Sequence, residues 1–561
     1  MAGICFDKCP SSDSCAHSLE YASRGAELLL TPLRSMYRIL VSDPLDESGV
    51  ELLRQRGAEV HLVNEEEKPR LSELIGGFDA LIVRSGTKVT AELLRAAGGS
   101  LKVVGRAGIG VDNVDVAAAT ELGILVVNAP TANLIAATEH TFALLLAVAR
   151  NVAAAAASVR AGDWDRKRFI GSELEGKTIG VVGLGRIGQA VAHRARAFGM
   201  KVLAHDPYLD STVAHRMEIE LAELDELIPR VDVLTMHLPL TDGTRDLINA
   251  SRVAALKEGA MLINCARGGI VDERALLEGL DSGRLAGVGL DVFAEEPPSN
   301  LALVRHPRVV ATPHIGAQTR EAQERVATQT ARMVLDALDG SLTVTAVNLP
   351  FSSTGKRGEP FLALGEQLGR LASGLMGGSL RRLQIDLWEL DEDLRAPIAV
   401  AVVKGALGSF LGETVNFVNA ERIAGGRGVE VIRSTHSGAG EYPHLVAVRL
   451  DGESGSVALA GTVVGASDLR VVHMEDFRLE FQPQGQLLVI RNKDVPGVVG
   501  KLGTLLGRAG ANIADIHLAR DPAGGDALAV IRLDQEPEGQ VLADLAALDE
   551  VDSVQHVDLG L

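Results

Sequence analysis

The sequence predicts an α/β protein of several domains: a Rossmann-like dinucleotide-binding unit inserted in a second α/β domain, then a further α/β segment, then a ferredoxin-like βαββαβ sandwich. Three observations carry this. The chain has 561 residues, beyond the reach of one hydrophobic core, which points to roughly three or four domains. From residue 37 onward, short Val/Ile/Leu runs alternate with helical stretches, the pattern of parallel strands covered on both faces. One of those strands runs directly into a glycine fingerprint at 183–188.

The elements follow in order. Strands are expected at 38–42, 59–63, 80–84, 102–105 and 124–128, with helices near 47–57 and 91–97. An Ala-rich helix or helix pair covers 138–160, and its five consecutive alanines at 153–157 permit close approach of another backbone. A second strand–helix unit starts at 177 and continues to about Thr312. A helical stretch from Gly316 to Leu338 returns the chain to the first domain. Residues 351–360, Phe-Ser-Ser-Thr-Gly-Lys-Arg-Gly-Glu-Pro, have linker composition. A Gly-rich α/β segment fills 361–480, and 486–558 read strand, helix, strand, strand, helix, strand. The expected divisions are a substrate domain at 36–135 and 318–348, a dinucleotide-binding domain at 136–317, an intervening domain at 349–480 and a final domain at 481–561. Residues 1–35 have no clean periodicity; they are expected to be a disordered extension, or to precede a true start at Met36.

Composition excludes several functions. The formal net charge is -19, a surface that repels phosphate backbones, so nucleic acid is not an expected partner. No apolar stretch reads as long enough to span a bilayer, so no membrane partner is expected and a cytoplasmic protein follows. Aromatic residues are 3% of the chain, too few for a surface built on stacking rings. Cys5, Cys9 and Cys15 crowd the N-terminus without a further His or Cys pair of metal-site spacing, and Cys265 stands alone; no disulfide framework and no metal site are expected.

The strongest local signal is Gly183-Leu-Gly185-Arg186-Ile187-Gly188 between a strand and a helix. Gly183 makes the tight turn, Gly185 lets backbone approach a pyrophosphate, and Gly188 lets the helix pack on the strand. The helix N-terminus offers N–H groups to the phosphates. The next strand ends at Asp206, whose carboxylate suits the two ribose hydroxyls of NAD and repels a 2′-phosphate. NAD is therefore favoured over NADP. A second glycine cluster, Gly105-Arg-Ala-Gly108-Ile-Gly110-Val-Asp, lacks the third glycine and the strand-end acid, and is assigned to the substrate side of the cleft.

Three segments follow apolar runs in the same unit: Asn264-Cys-Ala-Arg267, Asp291-Val-Phe-Ala-Glu295-Glu296 and Pro313-His314-Ile-Gly. Strand carboxyl ends line the crevice of open α/β sheets, so all three can face one cleft. Interconverting an alcohol and a ketone by hydride transfer needs a proton acceptor, which His314 supplies. Glu296 can orient that imidazole and stabilise its cation. Arg267 can grip a substrate carboxylate bidentately. Singly, each has a plain reading as a strand cap, a solvated acid or a surface ion pair; jointly, after a dinucleotide fingerprint, they make a catalytic set. Cys265 reads as a small packed residue.

With VRSGTKVT (83–90), VVGRAGIGVDNVD (103–115), GLGRIG (183–188), NCARGGIVDE (264–273), DVFAEEPP (291–298) and PHIGAQT (313–319), the chain from about residue 37 resembles the D-2-hydroxyacid dehydrogenases. The likeness is to their long, serine-pathway form, which carries an intervening domain and a C-terminal ACT domain. The resemblance implies Arg267, Glu296 and His314 as the catalytic set. It implies cofactor contacts at Arg186, Ile187, Asp206, Leu238, Cys265, Ala266, Arg267, Asp291, His314, Ile315, Gly316 and Ala317, with Ile109 nearby, and substrate contacts at Arg84, Ser85 and Arg106. It implies oxidation of 3-phosphoglycerate to 3-phosphohydroxypyruvate by NAD, a homo-dimer or tetramer with a contact in the 138–160 region, and L-serine as effector. For serine, Asn492 and Asp494 point the same way from an extended segment, and Asn512 after the following helix is expected to return toward them; helix capping is the plain alternative. The catalytic trio handles only the shared 2-hydroxy-acid part, so D-lactate or D-glycerate stays open as substrate. A non-catalytic NAD-sensing protein is the reading from another class.

Overall fold

The computed structural model describes residues 37–341, 345–351, 354–438, 442–453, 455–521 and 525–560. The expectations for residues 1–35, with Cys5, Cys9 and Cys15, fall outside these residues.

The chain begins with a five-stranded parallel sheet of β1 (Arg38–Val41), β2 (Glu59–Leu62), β3 (Ala80–Val83), β4 (Val103–Arg106) and β5 (Leu125–Asn128), in the order β2-β1-β3-β4-β5. Ile39, Val41 and Ile82 enter the core on one face, and Leu40, Leu81 and Val83 that on the other. Burial on both faces explains why these strands read as continuous apolar runs rather than alternating ones. The helix Arg320–Leu338 packs back onto this sheet through Val326, Ala331, Val334 and Leu335.

The second sheet holds β6 (Thr178–Val182), β7 (Lys201–His205), β8 (Glu220–Leu221), β9 (Val233–Met236), β10 (Ala260–Asn264), β11 (Leu285–Leu290) and β12 (Val309–Ala311). Its order is β12-β11-β10-β9-β6-β7-β8, all parallel. The strand order reverses between β6 and β9, and ligands of open α/β sheets bind at that crevice. The Ala-rich segment is a bent pair, Leu134–Ala149 and Val152–Arg160, turning by 65°. Asn151 takes the left-handed φ of 54° at the break. Phe142, Leu144, Leu145 and Val148 of the first helix cover the second sheet, whereas the helix Val152–Arg160 buries no residue within the chain.

The linker expected at 351–360 is overturned from Gly355, where a helix runs to Met376 with Pro360 inside it. An interior proline costs a helix about 3 kcal/mol. Leu362, Leu364, Leu368, Leu371 and Leu375 are all at most 7% exposed, and burying each contributes about 1.5–3 kcal/mol, so packing wins. The partner in that packing is the helix Glu392–Leu411. This second helix corrects the reading that no stretch is long and apolar enough to span a bilayer. It has that length and composition, but its apolar side chains are the core of this unit.

Both helices lie on a mixed sheet of β13 (Leu380–Trp388), β14 (Glu430–His436), β15 (Val446–Gly452), β16 (Ser456–Val464), β17 (Asp468–Met474) and β18 (Phe477–Phe481). The last sheet has β19 (Gln486–Lys493), β20 (Ile513–Arg520), β21 (Asp526–Leu533) and β22 (Val551–Asp558) in the antiparallel order β20-β21-β19-β22, with the expected βαββαβ chain order. Leu488, Ile490 and Ile531 face its two helices. Leu487, Val489, Leu528 and Val530 face the other way, into the core that also holds Leu364, Leu459 and Phe481. One hydrophobic core therefore runs across residue 480, which composition did not foreshadow.

Candidate active site

At the switch point of the second sheet, Gly183 turns with φ 91°, and a Cβ there would stand 2.6 Å from the His237 carbonyl oxygen after β9. A Cβ at Gly188 would lie 2.0 Å from the Gly183 carbonyl oxygen, so the helix Arg186–Ala197 seats on its strand only with glycine there. Around Gly185 the space is open, and no side chain caps the helix N-terminus. Its first N–H groups are thus left to an anion. The Asp206 carboxylate accepts from the Leu184 N–H at 2.8 Å and the Tyr208 N–H at 3.0 Å, which fixes it beside the glycine loop with lone pairs to spare for ribose hydroxyls. Leu238 lies against Gly183. The chemistry of these residues fits NAD.

The next three strand ends are stitched together. Asn264, 2% exposed, accepts from Ala266 N–H through its side chain and donates to the Arg267 carbonyl, closing the turn that launches Arg267. The Asn264 carbonyl takes the Asp291 N–H, and the Asp291 carbonyl takes the His314 N–H at 2.8 Å. The Asp291 carboxylate, 1% exposed, accepts from Thr312 Oγ1 at 2.6 Å, Ile315 N–H at 2.8 Å and Gly316 N–H at 2.7 Å, with His140 Nε2 at 3.2 Å. Burial raises its pKa, and the bonds from His140, Thr312 and the Ile315 N–H more than offset that, leaving it below the usual range. This clamp holds His314 at φ 54°, a left-handed conformation that costs about 1–3 kcal/mol without such support.

His314 Nδ1 lies 2.9 Å from Glu296 Oε2, and Glu296 Oε1 accepts from the Phe293 N–H at 3.2 Å. Nε2 of the ring is the nitrogen left for substrate. Cys265 is half-buried beside the helix Leu134–Ala149 and its thiol is pushed up to about 12, mainly by desolvation, which argues against a thiolate nucleophile. Desolvation likewise takes His237 down to about 4, so it stays a neutral member of the cofactor crevice.

The first sheet faces this site with three loops. Asp43, after β1, accepts from the Arg84 N–H, from the N–H and hydroxyl of Thr87, and from Lys68 Nζ, and so fixes the loop carrying Arg84 and Ser85. Arg106 ends β4; its Nε is buried without a hydrogen-bond partner. Burial, followed by the neighbouring Arg267, lowers its pKa to about 10, with Arg84 adding to the effect. Three guanidiniums thus gather where the two sheets meet. An anionic substrate would relieve both their repulsion and the unpaired Nε. Asp43, Asp112, Asn113, Asn128 and His140 were given no role from sequence. Asp112 and Asn113 stand inside a motif that sequence reading singled out, but nothing there marked their partners.

The effector expectation needs correction. Asn492 and Asp494 stand at one end of the last sheet, where Asp494 pairs with Arg520 at 3.2 Å. Asn512 stands at the other end, bonded to Asp534 beside the β20–β21 pair Ile513–Leu533. Strands β19 and β20 share one direction, so about 20 Å of strand separates the two groups. The Asn512 amide is expected to return toward the Asn492 loop, whereas the intervening helix carries the chain back to the end of the sheet where β19 starts. Within one chain the three residues do not converge.

Fold and site define the class: an NAD-dependent dehydrogenase of D-2-hydroxy acids. Family models agree, matching the D-isomer specific 2-hydroxyacid dehydrogenase NAD binding domain at 142–316, the D-3-phosphoglycerate dehydrogenase intervening domain at 358–475 and the ACT domain at 486–550. A D-3-phosphoglycerate dehydrogenase of Methanocaldococcus jannaschii is 40% identical over 93% of this chain and 100% of its own length. One of Mycobacterium leprae is 41% identical over 93% and 99%. A glyoxylate reductase structure from Paecilomyes thermophila superimposes with TM-score 0.52 at 31% identity, covering 56% of this chain and 99% of that one. The chain belongs to the D-3-phosphoglycerate dehydrogenase family. Its ACT domain indicates small-molecule regulation.

Proposed function

We propose that the chain oxidises 3-phospho-D-glycerate to 3-phosphohydroxypyruvate with NAD, the entry step of the phosphorylated route to L-serine. The carrying observation is the trio Arg84, Arg106 and Arg267, with its partnerless buried Nε, beside the His314–Glu296 pair. A 2-hydroxy acid with a phosphate at its far end brings negative charge to both ends of such a site. NAD, held by the glycine loop and Asp206, would supply the acceptor for the C2 hydride. Arg267 holds the substrate carboxylate, His314 Nε2 takes the C2 hydroxyl proton, and Glu296 stabilises the resulting imidazolium through Nδ1. Arg84, Ser85 and Arg106 take the phosphorylated end. The NAD contacts are Gly183, Gly185, Arg186, Ile187, Gly188, Asp206, Leu238, Cys265, Ala266, Arg267, Asp291, His314, Ile315, Gly316 and Ala317, with Ile109 nearby.

Purified protein with NAD and 3-phospho-D-glycerate is expected to form NADH, followed by its absorbance. His314→Ala is expected to keep NAD affinity and lose about 10²–10⁴-fold in rate. Turnover of His314→Ala within a few-fold of the wild type contradicts the assignment.

Two assembly features follow from the same reading. The helix Val152–Arg160 has no fully buried residue within the chain, and Val152, Val159, Trp164 and Ile170 are exposed around it. That surface supports a homo-dimer, checked by mass in solution at micromolar concentration. L-Serine as inhibitor then calls for Asn492 and Asp494 of one copy and Asn512 of another. Antiparallel approach of two edge strands β20 sets the start of one against the end of the other. Serine at millimolar concentration should inhibit, and Asp494→Ala and Asn512→Ala should each relieve the inhibition.

A further inference from the structure

We propose that Asp112 is the positioning residue for Arg267: it reaches across the cleft from the first sheet and turns the end-on edge of the guanidinium toward the substrate carboxylate. The inference rests on the reading above that Arg267 grips that carboxylate.

Asp112 follows β4, Arg267 follows β10, and Arg267 Nε donates to Asp112 Oδ2 at 3.0 Å. The pair therefore joins the two halves of the cleft. Arg267 NH1 spends one N–H on the Ala266 carbonyl at 2.7 Å. With Nε taken by Asp112, the NH1–NH2 edge is the pair of donors left for a planar carboxylate. NH2 lies over Gly110, where a Cβ would come within 1.9 Å of it, so this loop is shaped around the arginine.

Asp112 is itself held. Asn128 Nδ2 donates to the Ile109 carbonyl at 2.6 Å, and Asn113 Nδ2 donates to the carbonyls of Arg84 at 2.7 Å and Thr87 at 2.6 Å. The loop is pinned on both sides of Asp112 and tied to the loop of Arg84. Charge points the same way: Arg267 disfavours the charged form of Arg106, and Asp112 offsets it. An anion at this place lets two guanidiniums stand close before substrate arrives. Asp112 is 61% exposed, and an exposed ion pair contributes little to stability. Its effect belongs to orientation, and so to KM for the acid rather than to folding.

The test uses the full-length protein with 3-phospho-D-glycerate and NAD. Asp112→Ala is expected to raise KM for 3-phospho-D-glycerate about tenfold or more, since misaimed contacts are costly in rate and binding. KM for NAD and the thermal midpoint should stay at their wild-type values. Asp112→Asn keeps an acceptor for the Arg267 Nε–H and should recover most of the loss. In an Arg267→Ala background, Asp112→Ala should add nothing. A wild-type KM in Asp112→Ala overturns the proposal. So does a lowered KM, which would make Asp112 a competitor of the substrate, and so does an equal rise in KM for NAD. If Arg267→Ala raises KM while Asp112→Ala does not, only the Asp112 proposal fails. If Arg267→Ala leaves KM unchanged, the reading of Arg267 fails and the proposal with it.

Discussion

Replacing Glu296 by glutamine isolates what the carboxylate does for His314. Its two oxygens have different duties: Oε1 accepts the Phe293 N–H at 3.2 Å and Oε2 meets His314 Nδ1 at 2.9 Å. An amide at this position keeps its oxygen on the Phe293 N–H and turns its NH2 toward the ring. Nδ1 must then accept, which places the ring proton on Nε2, the nitrogen that has to receive the substrate proton. The alternative flip restores the tautomer but sets the NH2 against a backbone N–H. In either case the imidazolium loses its anionic partner. A hydrogen bond to a charged group is worth about 1.5–3 kcal/mol, which corresponds to roughly 10- to 150-fold in kcat. The wrong tautomer adds to that, as removal of the analogous carboxylate does in serine proteases. Steady-state NADH formation gives kcat and KM, and fluorescence titration gives NAD affinity. The expectation is a large fall in kcat with unchanged NAD affinity. A kcat within twofold of the wild type refutes the reasoning.

Three further outcomes are expected. Asp206→Ala should narrow the preference for NAD over NADP, measured as the ratio of kcat/KM values, because the carboxylate that repels a 2′-phosphate is gone; an unchanged ratio would place the discrimination elsewhere. Cys265, with its thiol pushed up to about 12, should resist alkylation at pH 8 in the native protein and react after denaturation, followed by peptide mass mapping. Asp43 is held below the ordinary carboxylate range: burial raises it, and the bonds from Lys68, the Arg84 N–H and Thr87 outweigh that. A depressed folded-state pKa contributes stability above the unfolded value of about 3.9, lost as pH falls through the folded value. Asp43→Asn should therefore lower the thermal midpoint at neutral pH and flatten its decline below about pH 4.

Sequence carried most of the catalytic half because its signals are local. The fingerprint at 183–188 lies between a strand and a helix, and Arg267, Glu296 and His314 each follow an apolar run; the parallel sheet then sets those strand ends side by side. What it could not carry were bonds between residues far apart in sequence. Asp112 with Arg267, Asp43 with Thr87 and His140 with Asp291 depend on strand order, which apolar runs do not encode. Propensity misled at Gly355–Met376, where burial of leucines overrode glycine and proline. In the last domain the element order is legible in the sequence, but the shared direction of β19 and β20 follows only from the strand order. Asn512 does stand at the start of β20, as expected, but that start lies at the end of the sheet opposite Asn492, so its amide does not return to that loop.

An arginine cluster that reads a phosphorylated 2-hydroxy acid is the centre of the proposed site. The most direct test compares kcat/KM for 3-phospho-D-glycerate and D-glycerate, which share the reacting carbon and the carboxylate and differ by the phosphate alone. With Arg106 Nε buried and unpaired, losing the phosphate leaves charged donors unsatisfied, and a preference of about 10²-fold or more is expected. A ratio near one would mean that the cluster does not recognise phosphate, and would contradict the account.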